Sequence, residues 1–314
     1  MDTNIIKKKV KKADAILTSD WHIRESKPKC RTDNYLETQD KKITFIFQLA
    51  QKNRCPILIS GDLGHEPNWS CHLLRWFIYK IKKYNVDIYA IIGQHDTHYH
   101  NLKNWRKSAI GVLGTAGVIN LIGTKYHFPP NEIKKFHLIP FPYGRPMKKI
   151  DNSGYSVSKP MVAMTHQMVI NKKLWPGQVA IKGHQLLRKY PQYQLILSGD
   201  NHSPFVSEYE GRILVNPGSV FRQNADEIDH KPRVYLWYST NNTVKPIYIP
   251  IEEGVVSRDH IEEKTERDER FDNYIQKMKL GYKVGTSYKK NLNKYFRKNV
   301  VEKNVIERIL EVSE

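Results

Sequence analysis

The sequence predicts an α/β fold, and three observations carry that reading. Several short apolar runs lack any alternation with polar residues, as strands covered on both faces of a sheet require. Each run breaks at its end into Asp, His or both. Ala15–Ser19 leads to Asp20-Trp21-His22, Pro56–Ser60 to Gly61-Asp62, Asp87–Ile92 to Gly93-Gln94-His95-Asp96, Met161–Thr165 to His166, and Leu195–Ser198 to Gly199-Asp200-Asn201-His202. Helical spacing separates the first three runs, and layered α/β folds collect their ligands beyond the carboxyl ends of the strands.

In order, a basic N-terminal arm precedes the first strand, and residues 23–35 are polar and loop-like. Ile43, Phe47, Leu49 and Ala50 are spaced for a helix that returns the chain to a parallel strand at Pro56. Asn68 is the expected N-cap of a second helix, whose apolar stripe is Leu73, Leu74, Phe77, Ile78 and Ile81. A βαβαβ unit results. The loop Thr97–Arg106 is rich in His, Asn and aromatic residues, and β-like runs follow at 117–122, 125–128 and 136–142. After the Met161 strand, a long connection leads to the Leu195 strand. A hairpin of Phe205–Tyr209 and Ile213–Val215 comes next, then the turn Asn216-Pro217-Gly218-Ser219. Strands Val234–Tyr238 and Val244–Ile249 close a domain spanning 1–255.

Residues 256–314 form a tail divided by charge. Residues 252–272 hold nine acidic and four basic side chains, and 277–303 hold nine basic and one acidic. Leu292, Phe296, Val300, Ile306 and Leu310 suggest one amphipathic helix over 287–312, a docking or DNA-binding segment.

The 314 residues, 39% of them hydrophobic, suffice for a large core. A net charge of +19, from 51 Lys and Arg against 32 Asp and Glu, points to a polyanionic partner such as nucleic acid. Cys30, Cys55 and Cys71 offer no Cys-x-x-Cys spacing, which argues against a disulfide framework or thiolate zinc site and fits a reducing cytoplasm. No run reaches the roughly 20 apolar residues of a membrane span, so no membrane role is expected. The lysines at 7–12 are not followed by the apolar core of a signal peptide. The abundance of Lys, Asn, Ile and Tyr suits an AT-rich genome, and the expected setting is a bacterial or phage-infected bacterial cell.

Asp20 and His22 stand two residues apart at a strand end, so both side chains can face one metal. Asp62 has two oxygens with which to bridge two cations. Divalent ions about 3.5–4 Å apart clamp the attacking and leaving oxygens of a phosphoester. Oxygen and imidazole donors suit Mn²⁺, Mg²⁺ or Fe, and leave Zn²⁺ possible. Taken singly, each Asp equally fits a helix N-cap after a βα turn; five such endings in one chain do not.

In order and rough spacing, these motifs resemble those of the calcineurin-like metallophosphoesterases. Within that superfamily the chain is most similar to the SbcD-type DNA-repair nucleases, through Gly61-Asp62-Leu63-Gly64-His65-Glu66 and Asn216-Pro217-Gly218-Ser219 with Arg222. The resemblance covers residues 13–250. It implies a four-layer α/β/β/α sandwich with a short C-terminal helical tail. It also implies one metal on Asp20, His22, Asp62 and His202, and a second on Asp62, Gln94, His166 and Asp200. His95 would face the scissile phosphate without binding metal, Arg222 and the lysines would hold the substrate backbone, and His98 and His100 come nearest to a further substrate role. The implied partners are DNA, an SMC-like ATPase of the SbcC type docking on the C-terminal helices, and a second copy of the chain.

Two positions depart from the family pattern, Gln94 where Asn is usual and Asp200 where His is usual. A third carboxylate leaves less net positive charge on the metal pair and is expected to favour Mn²⁺ or Mg²⁺ over Zn²⁺. Two rival readings share the same residues: a phosphodiesterase or phosphatase of small phosphoesters, and a DNA-binding scaffold that has lost catalysis. Trp21 and Trp105 are candidates for base stacking, with burial in the core as the commoner role of such side chains.

Overall fold

A computed structural model describes residues 12–124, 131–133, 135–150, 158–172, 180–279 and 288–312. The chain divides into two units, Met1–Ser257 and Arg258–Glu314.

In the first unit, β1 (Ala15–Thr18), α1 (Tyr35–Asn53), β2 (Ile57–Ser60), α2 (Cys71–Tyr84) and β3 (Ile88–Ile91) form the βαβαβ unit. The Asn34 side chain accepts the Glu37 N–H and caps α1. Ser70, not Asn68, caps α2: its hydroxyl accepts the Leu73 N–H at 3.0 Å, a reach set by standing immediately before Cys71. After 3₁₀ turns at His98–His100 and Leu102–Lys107 comes α3 (Ala109–Thr115), a helix hidden in sequence by Gly111 and Gly114. The run expected at 117–122 contracts to β4 (Asn120–Leu121), and that at 125–128 lies outside the described residues.

Then follow β5 (Asn131–Ile133), β6 (Phe136–Phe141), β7 (Met161–Thr165), β8 (Val169–Ile170), β9 (Ile181–Lys182), α4 (Gly183–Lys189), β10 (Leu195–Ser198), β11 (Phe205–Tyr209), β12 (Arg212–Asn216), β13 (Arg233–Tyr238) and β14 (Thr243–Tyr248). Two six-stranded sheets result, ordered β14-β13-β1-β2-β3-β4 and β11-β12-β10-β7-β6-β5. In the first, β1, β2, β3 and β4 run parallel; in the second, β6, β7, β10 and β12 do.

Strand alternation sorts the core into layers. Ala15, Leu17 and Leu58 of one sheet meet Leu138, Val162, Met164, Leu195 and Leu197 of the other, with the Phe136 and Trp237 rings edge to face at 5.1 Å. The opposite face of the first sheet, Ile16, Ile57 and Ile59, packs on Ile43, Phe47 and Phe77 of α1 and α2. The outer face of the second, Ile139, Ala163, Ile196 and Leu214, packs on Leu186 and Leu187 of α4. The fold is therefore the expected four-layer α/β/β/α sandwich. The central strands are buried on both faces, worth about 1.5–3 kcal/mol per large aliphatic side chain, which is why the runs lack polar alternation.

The two sheets meet at the ends that carry the motifs. The Ser60 hydroxyl donates to the carbonyls of Thr165 (2.8 Å) and Leu197 (3.0 Å), locking the end of β2 to those of β7 and β10.

The second unit contains α5 (Asp259–Lys279), α6 (Tyr288–Lys298) and α7 (Lys303–Val312). The single helix expected over 287–312 is two helices. The apolar spacing slips between Val300 and Ile306, the Asn299 side chain donates back to the Tyr295 carbonyl, and Val300 lies exposed in the break.

Candidate metal centre

The loops after β1, β2 and β10 aim their polar residues by an unusual backbone. Asp20, His22, Asp62 and Asp200 all have positive φ, at 51, 47, 51 and 73°. Each such non-glycine residue costs about 1–3 kcal/mol, so the surrounding bonds must hold it there. They do. Asp20 N–H donates to the Gly61 carbonyl (3.1 Å) and His22 N–H to that of Asp62 (3.0 Å), so the loops after β1 and β2 continue side by side. Asp62 Oδ1 accepts the His95 N–H (2.9 Å), and buried Asp96 accepts those of Gly64 and Gly93 (both 2.9 Å), tying the β3 loop to the β2 loop. Gly61, at φ 90°, leaves no room for a side chain: a Cβ would stand 2.2 Å from His166 Nδ1.

Six residues from five strand ends converge. Asp20, His22 and His202 place ligand atoms within 4.8 Å of one another, as do Asp20, Asp62 and His166, and also His22, Asp62 and His95. His166 Nε2 is 3.3 Å and His22 Nε2 3.8 Å from Asp62 Oδ2, and His202 Nε2 is 4.0 Å from Asp20 Oδ1.

The imidazoles are fixed from behind. His166 Nδ1 donates to the Ser60 carbonyl at 2.6 Å, which fixes the ring with Nε2 facing Asp62. His202 Nδ1 lies 3.3 Å from Glu227, whose carboxylate also accepts from the Ser219 hydroxyl and the N–H groups of Gln223 and Asn224. His95 Nδ1 contacts the His65 carbonyl at 3.2 Å, and the two rings stack 5.9 Å apart.

Electrostatics mark the cluster as built for added positive charge. Burial pushes the Asp20 carboxyl up and the His22 imidazole down, to about 3. Burial would also raise Asp62, but the neighbouring His166 charge holds its carboxyl well below the usual range. His166 would be lowered by burial, and the Asp62 charge instead carries it up to about 10. Asp20 Oδ2 and Gln94 Oε1 are buried without a hydrogen-bond partner, and Asp62 Oδ2 faces only the His166 and His22 imidazoles. Orphaned carboxylate oxygens of this kind cost several kcal/mol unless a cation faces them. The donor set, oxygen and imidazole without thiolate, fits divalent ions.

Other expected residues lie differently. Asp200, expected on the second metal, belongs to none of the three groups and accepts the Gln94 side-chain N–H at 2.6 Å. His95, expected to stay off the metals, lies inside one group. Arg222, expected to hold substrate, is 4% exposed and donates to the Ile228 and Glu252 carbonyls, so it braces the 222–252 segment. His98 turns to the Lys107 carbonyl, whereas His100 rests on the Gln94 carbonyl with its ring 5.8 Å from that of His95. Trp21 is a core residue packed on Phe47 and Phe77. Sequence reasoning assigned no role to Glu227, His65 or Asp96. The Gly-Gln-His-Asp string signalled the last, and nothing local signalled Glu227.

A two-sheet α/β sandwich with a carboxylate–imidazole cluster at its strand ends defines a metal-dependent phosphoester hydrolase. The calcineurin-like phosphoesterase family model matches residues 15–204, well over half of the chain, and the chain belongs to that family. No curated protein sequence matches it significantly. Solved structures resembling it include TT1561 of Thermus thermophilus (11% identity, 76% of this chain and 99% of that one, TM-score 0.45). Others are a novel archaeal phosphodiesterase (13%, 74% and 98%, 0.39) and the phosphopantetheinyl hydrolase PptH from Mycobacterium tuberculosis (12%, 76% and 96%, 0.41). Among the described residues, no helix is long and apolar enough to cross a membrane.

Proposed function

We propose that the chain is a two-metal DNA nuclease of the SbcD type, acting in end processing, repair or recombination in the bacterial cytoplasm. The observation that carries the hydrolase is the convergence of Asp20, Asp62, His166 and His202 around orphaned oxygens. What supports DNA as its substrate is the excess charge of +19 together with the lysine-rich 277–303 segment. Asp20, His22, Asp62 and His202 would hold one cation, and Asp62, His166, Gln94 and Asp200 a second. Mn²⁺ suits this oxygen-rich set, with Mg²⁺ or Fe as substitutes. Bound divalent ions activate water and neutralise phosphoryl oxygens. His95, anchored through Nδ1, is left with Nε2 to hold the proton passed to the leaving alcohol. By the same resemblance, α6 and α7 dock an SMC-like ATPase of the SbcC type, and two chains pair.

Digestion of end-labelled linear duplex with Mn²⁺ tests this reading: the wild type cleaves, and Asp62→Ala and His95→Ala do not. Cleavage that falls steeply as salt rises supports a polymeric substrate. Flat salt dependence identifies a small phosphoester.

A further inference from the structure

Beside the metal centre lies a cleft of about 650 Å³. Its walls are the 100–106 segment on one side and Tyr143–Arg145 on the other. Both walls reach the centre. His100 leans on the Gln94 carbonyl and the His95 ring, and the Tyr143 ring stands 6.4 Å from that of His166. Among the described residues lining it, Lys103, Arg106 and Arg145 are cationic and none carries a carboxylate. The Arg106 guanidinium lies over the Trp105 indole, 4.7 Å from its centre, giving a planar and positively charged surface. The same loop holds Tyr99 and His100 in left-handed backbone, φ 57 and 51°, with the Tyr99 side chain almost fully exposed. Strain of this kind persists where the surroundings over-determine it, and functional loops are where it gathers.

A cleft of this size takes a ligand of nucleotide dimensions. A lining of one sign suits phosphates, and an indole–guanidinium stack suits any base, because every base has a π-face. We propose that this cleft is the nucleotide subsite of the enzyme, holding an unpaired nucleotide of a nucleic-acid strand beside the scissile phosphate. The base lies on the Trp105–Arg106 stack, and a flanking phosphate lies on Lys103. The proposal rests on the reading of the chain as a nuclease and narrows it: the strand enters single, so frayed or unpaired ends are the preferred substrate.

The test is binding of the full chain to a fluorescein-labelled single-stranded oligonucleotide, followed by anisotropy. Its abasic counterpart and the blunt duplex of the same sequence are measured alongside. The wild type is expected to prefer the base-bearing single strand to both. Trp105→Ala is expected to weaken that binding on the order of 10-fold and to erase the preference over the abasic strand. Lys103 and Arg106 are exposed, so Lys103→Ala/Arg106→Ala tests the cleft without disturbing the core; it is expected to flatten the log–log salt slope by about 1.4. Equal binding of abasic and base-bearing strands by the wild type, or unchanged binding by the double variant, would overturn the proposal. So would a blunt duplex binding as well as the single strand, or a free mononucleotide competing as well as the oligonucleotide. Hydrolysis of a base-free chromogenic phosphodiester by the wild type with Mn²⁺ reports on the metal centre separately, so an inert centre is distinguished from an unused cleft.

Discussion

At one end of the ligand cluster Asp20, His22 and His202 bring their donor atoms within 4.8 Å, the backbones of the first two tied to the β2 loop and the His202 ring braced by Glu227. At the other end Gln94 and Asp200 spend facing atoms on each other, at 2.6 Å. The first arrangement gives up to a cation only the contact between the His22 and His202 Nε2 atoms, 3.2 Å apart. The second must give up an amide–carboxylate hydrogen bond, or accept a cation through the orphaned Gln94 Oε1 and the other carboxylate oxygen of Asp200. The lesson is that a pair of metal positions can share a bridging carboxylate and still differ in preorganisation. The two positions in this chain are therefore expected to differ in affinity.

The largest effect that would break this comparison comes from the shared residue. Asp62→Ala is expected to lower kcat/KM for phosphodiester cleavage by roughly a thousandfold or more, because both positions lose a ligand. His95→Ala is expected to cost about 10²–10⁴-fold in kcat while metal content, read by elemental analysis, stays at the wild-type level. Metal loss on that substitution would make His95 a ligand, as its place within 4.8 Å of His22 and Asp62 allows.

Finer contrasts sharpen the asymmetry. Glu227→Gln removes the negative charge behind the His202 imidazole, and it is expected to weaken the tighter position about 10–100-fold by calorimetry and leave the weaker one unchanged. Asp200→His trades a carboxylate for an imidazole and frees Gln94. It is expected to raise affinity for Zn²⁺ relative to Mn²⁺ about tenfold, at the weaker position only.

How far the site could be read from sequence follows from where each contact originates. Asp20, His22, Asp62, His166 and His202 are legible because each closes an apolar run, and the parallel strands carry those ends to one rim. The Gln94–Asp200 hydrogen bond is invisible in sequence, since it joins residues from different sheets. Glu227 is equally hidden: it comes from a 3₁₀ turn well beyond His202. Arg222 was readable as a cation and not as a buried one, because its direction depends on the Ile228 and Glu252 carbonyls, which only the folded chain brings near. The layer order was legible from unalternated strands, whereas α3 and the break between α6 and α7 were not, glycines masking one and a slip in apolar spacing the other.

A buried charge outside the cluster gives the smallest expected effect on the site and a control for it. Lys42 is 5% exposed, and burial, with Arg222 and Arg31 nearby, pushes its ammonium down to about 7. Between that value and the unfolded 10.5, the unfolded chain holds a proton that the folded chain lacks, so this group makes stability rise with pH across that window. Lys42→Met is expected to remove that part of the rise in urea midpoint between pH 7 and about 9, with metal binding unaltered.

The most direct measurement is calorimetric titration of chelator-stripped protein with Mn²⁺, comparing wild type with Asp62→Ala. Two binding events of unequal affinity in the wild type, and neither at comparable affinity in the variant, are expected. A variant that still binds both ions as the wild type does would show that this rim of carboxylates and imidazoles is not a shared-carboxylate metal pair.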